Sequence, residues 1–318
     1  MKKKQLLKFY EQGYRDFTGV DLSGVDLSGI MLINVNLTGA NLVGANLSRA
    51  FLTKSDLSQA TLNWANLSYA KMSEVNLQQA DLTKANLKGA FMVKSQLEEA
   101  RLSGANLFAT NLRSSNLSGA NLCSAKLQQV NLRQANLNRA NCNWADLKSG
   151  RLTGAQLQNV SFMGVNLSQT FLIDVDLSGT DLTGINLSQA RLTRANLSHT
   201  NLCRANLVDA QLRNTNLNYA NLSNANLSEA QLKGGNLNNA NLMQANLSNA
   251  DLRKTSLKQA NLSNADLRGA NLKDADLEST VLYNTILDPS SPNINRFSLP
   301  EAETRNKSRY GIHQIQIA

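Results

Sequence analysis

A five-residue unit, written small-Asn/Asp-Leu-x-x, runs from Phe17 to Leu287 without a slip of frame, in about 55 copies. The stretch ANLVGANLSRA, Ala40 to Ala50, shows it plainly. Only Phe17, Met72, Met92, Cys142 and Phe162 replace Leu at the centre, and all are apolar. A period of five fits neither a helix nor a strand. Within each unit, however, the small residue and the Leu are two apart, which puts them on one side of a very short extended segment. The Asn between them faces the other way. The last two positions carry Gly, Ser, Thr, Asn, Lys and Gln, residues that suit a turn. Each unit is therefore expected to form one side of a polygon, with the small residue and Leu inside.

The number of sides follows from where the Asn/Asp position is broken. Met31, Phe51, Lys71, Phe91, Arg151, Phe171, Arg191, Gln211 and Gln231 break it, and all are separated by multiples of twenty. Concentration at one phase of a twenty-residue period predicts a coil with four sides. About 14 coils stacked at roughly 4.8 Å would make a rod about 65 Å long. Each buried Leu contributes on the order of 1.5–3 kcal/mol before conformational entropy is subtracted. Asn residues at matching positions of successive coils are expected to form hydrogen-bonded ladders. Cys142, at a Leu position, is expected to be a buried and inert small hydrophobe.

This run of A-[DN]-L-x-x resembles the pentapeptide-repeat proteins over about 85% of the chain. The resemblance implies an all-β fold, a right-handed quadrilateral β-helix with the central Leu and the small residue pointing inward. The understood members are binding proteins, some of which mimic DNA and occupy topoisomerases. The opening LLKFYEQGYRDFTGVDLSG is similar to the start of many cyanobacterial members, which implies such a source and a cytoplasmic location.

The flanks set the domain plan: residues 1–15 a cap, 16–288 the repeat solenoid, 289–318 a linker and tail. Leu6, Leu7, Tyr10 and Tyr14 fall at helical spacing, so a short amphipathic helix is expected to cover the open apolar end that any solenoid presents. The alternative is a frayed basic tail. After Leu287, DPSSPNINRFSLP reads as a breaker-rich linker. Phe297 and Leu299 either fold back over the last coil or belong to a disordered tail, and Ile312, Ile315 and Ile317 suit one short strand.

Chemistry of the catalytic kind finds little footing. An unbroken register has no inserted loop from which to build a concave site. His199 at a turn and His313 in the tail have no partner that the sequence names, and both read as solvated. Cys123 and Cys203 share a side but stand four coils apart, roughly 19 Å at strand spacing and beyond disulfide reach. Neither a Cys/His metal spacing nor a phosphate loop is present. No catalytic residue, metal or cofactor is therefore expected, and the reading is of a non-enzyme. Neither a signal peptide nor an apolar run of roughly 18 residues is seen, so no membrane is expected, and a reducing cytoplasm is the default.

The charge distribution rises above this background. The formal charge is +9, which suits acidic partners or plain solubility. Basic residues gather on the side where the Asn is lost, at Lys54, Lys71, Lys94, Arg113, Arg133, Arg151, Arg191, Arg194 and Arg213, and on through Lys233, Arg253, Lys254 and Lys273. Acidic residues there are only Glu74, Asp174, Asp251 and Asp274. Phe51, Phe91 and Phe171 stand among the cations, as on an interaction surface. The bland alternative is a charged face that keeps a solenoid soluble and blunts edge pairing. The leading expectation is a scaffold or regulator binding an acidic protein through this side. Nucleic-acid binding, contact with a topoisomerase, and a self-associating homo-oligomeric rod are the competing readings. DNA mimicry fits badly with a positive chain. Trp64 and Trp144 share another corner and read as isolated exposed rings.

Overall fold

The structure, a computed structural model, describes residues 1–288 and 316–317. The chain divides into two compact units, Met1–Phe171 and Leu172–Ala318. Over the described repeats each is a β-solenoid whose strands are reduced almost throughout to single bridging residues.

In the unit Met1–Phe171 the Asn/Asp-phase residue pairs in parallel with the residue twenty positions on. There are four such positions in every twenty residues, as in Asp16↔Asn36, Asp21↔Asn41, Asp26↔Asn46 and Met31↔Phe51. Following one repeat explains why the backbone tolerates so little regular strand. The Asn41 N–H donates backwards to the Val20 carbonyl at 2.9 Å, and the Leu42 N–H donates forwards to Thr61 at 2.7 Å. Gly44 donates forwards to Asn63 at 2.9 Å, and Ala45 closes the turn by donating to Leu42 at 3.0 Å. The remaining N–H, that of Val43, donates to the Asn41 side-chain Oδ1 at 3.2 Å. All five backbone donors of the unit are thus accepted, the last by the Asn itself, so a buried backbone is left without orphans. The fifth position takes a left-handed backbone whatever its residue, as at Lys54 (φ 60°) and Trp64 (φ 61°). That conformation costs an L-residue on the order of 1–2 kcal/mol; the inter-coil bonds on either side hold it.

The interior is as the period requires. Leu42, Leu47 and Leu52 are fully buried, with Ala40, Ala45 and Ala50 beside them. Where a hydroxyl stands at the small position it is satisfied inside: Ser55 Oγ donates to the Leu32 carbonyl at 2.8 Å and accepts the Val35 N–H at 3.2 Å. Cys142 is buried at its Leu position, and desolvation pushes its thiol up to about 12.

Helix α1 spans Lys3–Glu11, shorter than the expected 1–15. Gly13, at φ +92°, ends it. Tyr14 therefore lies beyond the helix and is exposed, contrary to its expected place on the apolar face. Its ring meets Phe9 edge-on at 5.5 Å instead. Of the four residues at helical spacing only Leu6 is buried. Polar contacts hold the helix against the first repeats: the Met1 amino group donates to the Asp21 carbonyl and Lys3 Nζ to that of Ser28. Arg15 stacks its guanidinium 4.0 Å from the Tyr10 ring centroid and donates to the Tyr10 and Tyr14 carbonyls.

The unit Leu172–Ala318 repeats the same bridging, from Asp176↔Asn196 to Asp266↔Ile286. Its last repeat carries strand β1, Ile286–Leu287, which pairs in parallel with β2, Gln316–Ile317. The expected tail strand is thus represented by Gln316–Ile317. Ile312, Ile315, His313, Phe297 and Leu299 lie outside the described residues.

Candidate functional site

The Asn/Asp residue does two jobs. Its Oδ1 accepts the N–H two residues on, and its Nδ2 donates to the Oδ1 of the preceding coil. Asn66 Nδ2 donates to Asn46 at 3.2 Å, Asn86 to Asn66 at 3.2 Å and Asn106 to Asn86 at 3.1 Å, a continuous ladder. The ladder was expected from the sequence; the turn cap was not. With single losses elsewhere, as at Thr61, Gln96, Arg101 and Lys126, its absence is concentrated on one side of the coil. There Met31, Phe51, Lys71, Phe91 and Arg151 replace the Asn, and the N–H groups of Thr53, Ser73, Val93 and Thr153 find no acceptor among the described residues. Only Ile33 is rescued, by the hydroxyl of Tyr10 from α1, at 3.3 Å.

In the unit Met1–Phe171 this side forms one bridged row, Met31, Phe51, Lys71, Phe91, Asn111, Asn131, Arg151, Phe171. Phe51 and Phe91 are each 40% exposed. Lys54, Lys71, Lys94, Arg113, Arg133 and Arg151 are all exposed, and none forms an ion pair among the described residues. Two of them lean on rings, Lys71 Nζ 5.6 Å from the centroid of Phe91 and the Arg151 guanidinium 5.8 Å from that of Phe171. Arg133 also donates from Nε to Asn131 Oδ1 at 3.1 Å.

The corresponding positions of the unit Leu172–Ala318 differ in chemistry. Arg191, Gln211, Gln231, Asp251 and Asn271 form the bridged row, with Arg194 and Arg213 at its edge. Arg194 is engaged by Asp174 through two bonds of 2.7 Å, which hold the Asp174 carboxyl below its usual range and raise the guanidinium. Arg253 is held in the same way by Asp251, at 2.8 Å on both arms. The cations of this unit are therefore partly neutralised by carboxylates of the same face, whereas those between Lys54 and Arg151 are not.

Residues outside the sequence-derived set complete the picture. Arg49 and Tyr69 stand at a corner beside Phe51 and Lys71, and with Gly29 they line a groove of about 560 Å³. The Tyr69 ring lies over Gly89, where a Cβ would come within 2.6 Å of it. Trp64 is not isolated: Lys84 Nζ sits 4.5 Å from its ring centroid. Trp144 lies over Gly164 in the same way as Tyr69 over Gly89. His199, read as solvated and unpartnered, stacks on Tyr219 with centroids 5.0 Å apart. Each of these pairs is twenty residues apart, so the signal was in the sequence once corners, and not only sides, are aligned by coil.

Among the described residues no group of three or more His, Cys, Asp or Glu is placed to hold a metal ion, and no helix is long and apolar enough to cross a membrane.

The repeats match two family models, pentapeptide repeats (8 copies) in segments spanning residues 21–179 and 245–284, and a pentapeptide repeat region at 165–242. The chain belongs to the pentapeptide-repeat family. Similar solved structures include HetL, a pentapeptide repeat protein involved in heterocyst differentiation regulation from the cyanobacterium Nostoc. It is 30% identical over 88% of this chain and 97% of its own, with a TM-score of 0.23. A pentapeptide repeat protein of the Arabidopsis thaliana thylakoid lumen is 33% identical over 30% of this chain and 71% of its own, at a TM-score of 0.26. Rfr23 from the cyanobacterium Cyanothece is 23% identical over 52% of this chain and 97% of its own, at 0.17. A search of curated proteins gives no match. The family assignment rests on the matched repeats and not on these superpositions.

Proposed function

We propose that this chain is a non-enzymatic binding protein that docks an acidic protein on the basic, aromatic side of the unit Met1–Phe171. The reading rests on one observation: the side that carries Lys54, Lys71, Lys94, Arg113, Arg133 and Arg151 is also the side that most often forgoes the Asn cap, keeping it in the unit Met1–Phe171 at Asn111 and Asn131. At Phe51, Lys71, Phe91 and Arg151 a residue that would accept a backbone N–H and extend a ladder is replaced by one that does neither. A side chain that sacrifices local hydrogen bonds for outward charge and ring area suits recognition better than solubility, which the Asn itself would serve. The same reading takes the coil as right-handed and quadrilateral, residues 1–15 as its cap, 16–288 as the repeat domain and 289–318 as its tail, in a cytoplasmic protein.

The test is capture of acidic proteins by the immobilised full chain beside an Arg113→Glu, Arg133→Glu, Arg151→Glu variant, with and without nuclease. A partner retained by the first and lost by the second supports the reading. Identical capture by both sinks it. Loss of all capture on nuclease treatment, with affinity falling steeply in salt, would transfer the side to nucleic acid.

A further inference from the structure

We propose that the groove between Arg49 and Lys71 receives an extended acidic peptide segment, with an apolar side chain laid on Phe51 and Tyr69 and carboxylates on the two cations. This rests on the docking role proposed for the basic side and names the chemistry of the segment that side takes at this point. The groove measures about 560 Å³ and is lined by Gly29, Arg49, Phe51, Tyr69 and Lys71. That volume lies within the range that holds a ligand of a few residues' size. Its rings are presented, not packed away: Phe51 is 40% and Tyr69 48% exposed.

Three physical features favour an acidic segment with an apolar residue. First, Arg49 and Lys71 are exposed cations with no ion pair among the described residues, so a carboxylate displaces no acidic partner and competes only with the Phe91 ring beside Lys71. Second, an exposed pair of rings between cations gains from apolar contact that a purely polar anion does not supply. Third, the platform is rigid. Phe51 and Lys71 are bridged neighbours on one row. The Tyr69 ring is seated on Gly89, whose missing side chain leaves room for it: a Cβ there would approach the Tyr69 Cε1 to 2.6 Å. Rings held in place lose little freedom on binding. An extended peptide alternates its side chains between two faces, so an Asp-apolar-Asp segment meets this groove edge-on, its carboxylates towards Arg49 and Lys71 and its apolar group towards Phe51 and Tyr69.

The experiment uses the full chain and three fluorescent, end-blocked heptapeptides, of alternating Asp and Leu, alternating Ser and Leu, and alternating Asp and Ser, followed by anisotropy. Binding by the Asp-Leu peptide alone is expected. Arg49→Glu is expected to weaken it at least tenfold, Arg49→Lys by less than threefold. Gly89→Ala, which alters no charge but displaces the Tyr69 ring, is expected to weaken it severalfold; Tyr69→Asn, whose side chain tolerates the left-handed backbone at that corner, checks the same point if the Gly89 variant folds poorly. Lys126→Glu with Lys148→Glu, exposed cations on another side of the coil, should change it by less than threefold. Equal binding of the Asp-Ser peptide, or indifference to Arg49→Glu, overturns the groove. If Arg113→Glu with Arg133→Glu then abolishes binding, the basic side stands without it. If no variant on either set matters, both fail. Displacement of the Asp-Leu peptide by a single-stranded oligonucleotide at lower concentration than by unlabelled peptide overturns the peptide assignment.

Discussion

The hydroxyl of Tyr10 accepts the N–H of Ile33 at 3.3 Å, and this N–H is the one that an Asn at position 31 would have capped. Elsewhere in the repeat the cap is intramural: Asp21 caps Ser23 at 3.0 Å and Asn36 caps Thr38 at 3.0 Å. Met31 removes it, and helix α1 supplies a substitute from outside the repeat register. The helix is thus fastened to the solenoid at the edge of the side that lost its caps, beyond the burial of Leu6.

From this, Tyr10→Phe should speed amide exchange at Ile33 and destabilise the N-terminal unit by about 1 kcal/mol, the net value of one hydrogen bond. Adding Met31→Asn should restore slow exchange in the Tyr10→Phe background. Hydrogen exchange resolved to single amides measures both. Unchanged exchange in Tyr10→Phe would show that water caps Ile33 as well as the phenol does.

Restoring the Asn on the basic side should strengthen the fold while weakening recognition. Asn131 already donates to Asn111 at 3.0 Å, and Arg151 is its bridged neighbour. Arg151→Asn would extend that ladder and give the Thr153 N–H an acceptor, two hydrogen bonds worth about 1–2 kcal/mol together. Loss of the contact between Arg151 and Phe171 offsets about 0.5–1 kcal/mol. A higher unfolding midpoint with weaker capture of the partner is expected. A lower midpoint would mean that the outward residues here are themselves the stabilising choice.

Acid should loosen the first coil. The carboxyl of Asp21 is held below its usual range by the Ser23 N–H, that of Asp26 by the Ser28 N–H and that of Asp16 by the Thr18 hydroxyl. A carboxylate stabilised in the folded chain contributes fully above its ordinary pKa of about 4 and loses that contribution as pH falls through the lowered folded value. The melting temperature should therefore drop below about pH 4, and Asp16→Asn, Asp21→Asn and Asp26→Asn together should flatten that drop. Circular dichroism melts between pH 2 and pH 6 decide it; parallel curves for both proteins would place the acid sensitivity elsewhere.

Thiol chemistry should separate the cysteines. Cys142 is buried with its thiol pushed up to about 12, whereas Cys123 and Cys203 are partly exposed. Native protein at pH 8 should take up two iodoacetamide adducts, at Cys123 and Cys203, and gain the third only on unfolding. Mass spectrometry of the digested protein reads this directly, and early labelling of Cys142 would mean that its coil opens.

Much of this protein was decided by its sequence. The unbroken spacing of Leu two residues after a small residue leaves a coil with both inside as the way to bury them, because no helix or long strand puts a five-residue period on one face. The phase of Met31, Phe51, Lys71 and Phe91 gave the twenty-residue coil, and bridges such as Phe51↔Lys71 follow it. The basic side was legible for the same reason. Other features depend on what folding brings together. The Asn cap on the next turn, the length of α1 and the grip of Tyr10 on Ile33 are hydrogen-bond choices among several open to each side chain. The pairing of Arg194 with Asp174, while the cations of the basic side between Lys54 and Arg151 form no ion pair among the described residues, depends on rotamers that one-dimensional charge counting ignores. So does the seating of Tyr69 on Gly89, where a residue's absent side chain, twenty positions away, decides where the ring can lie.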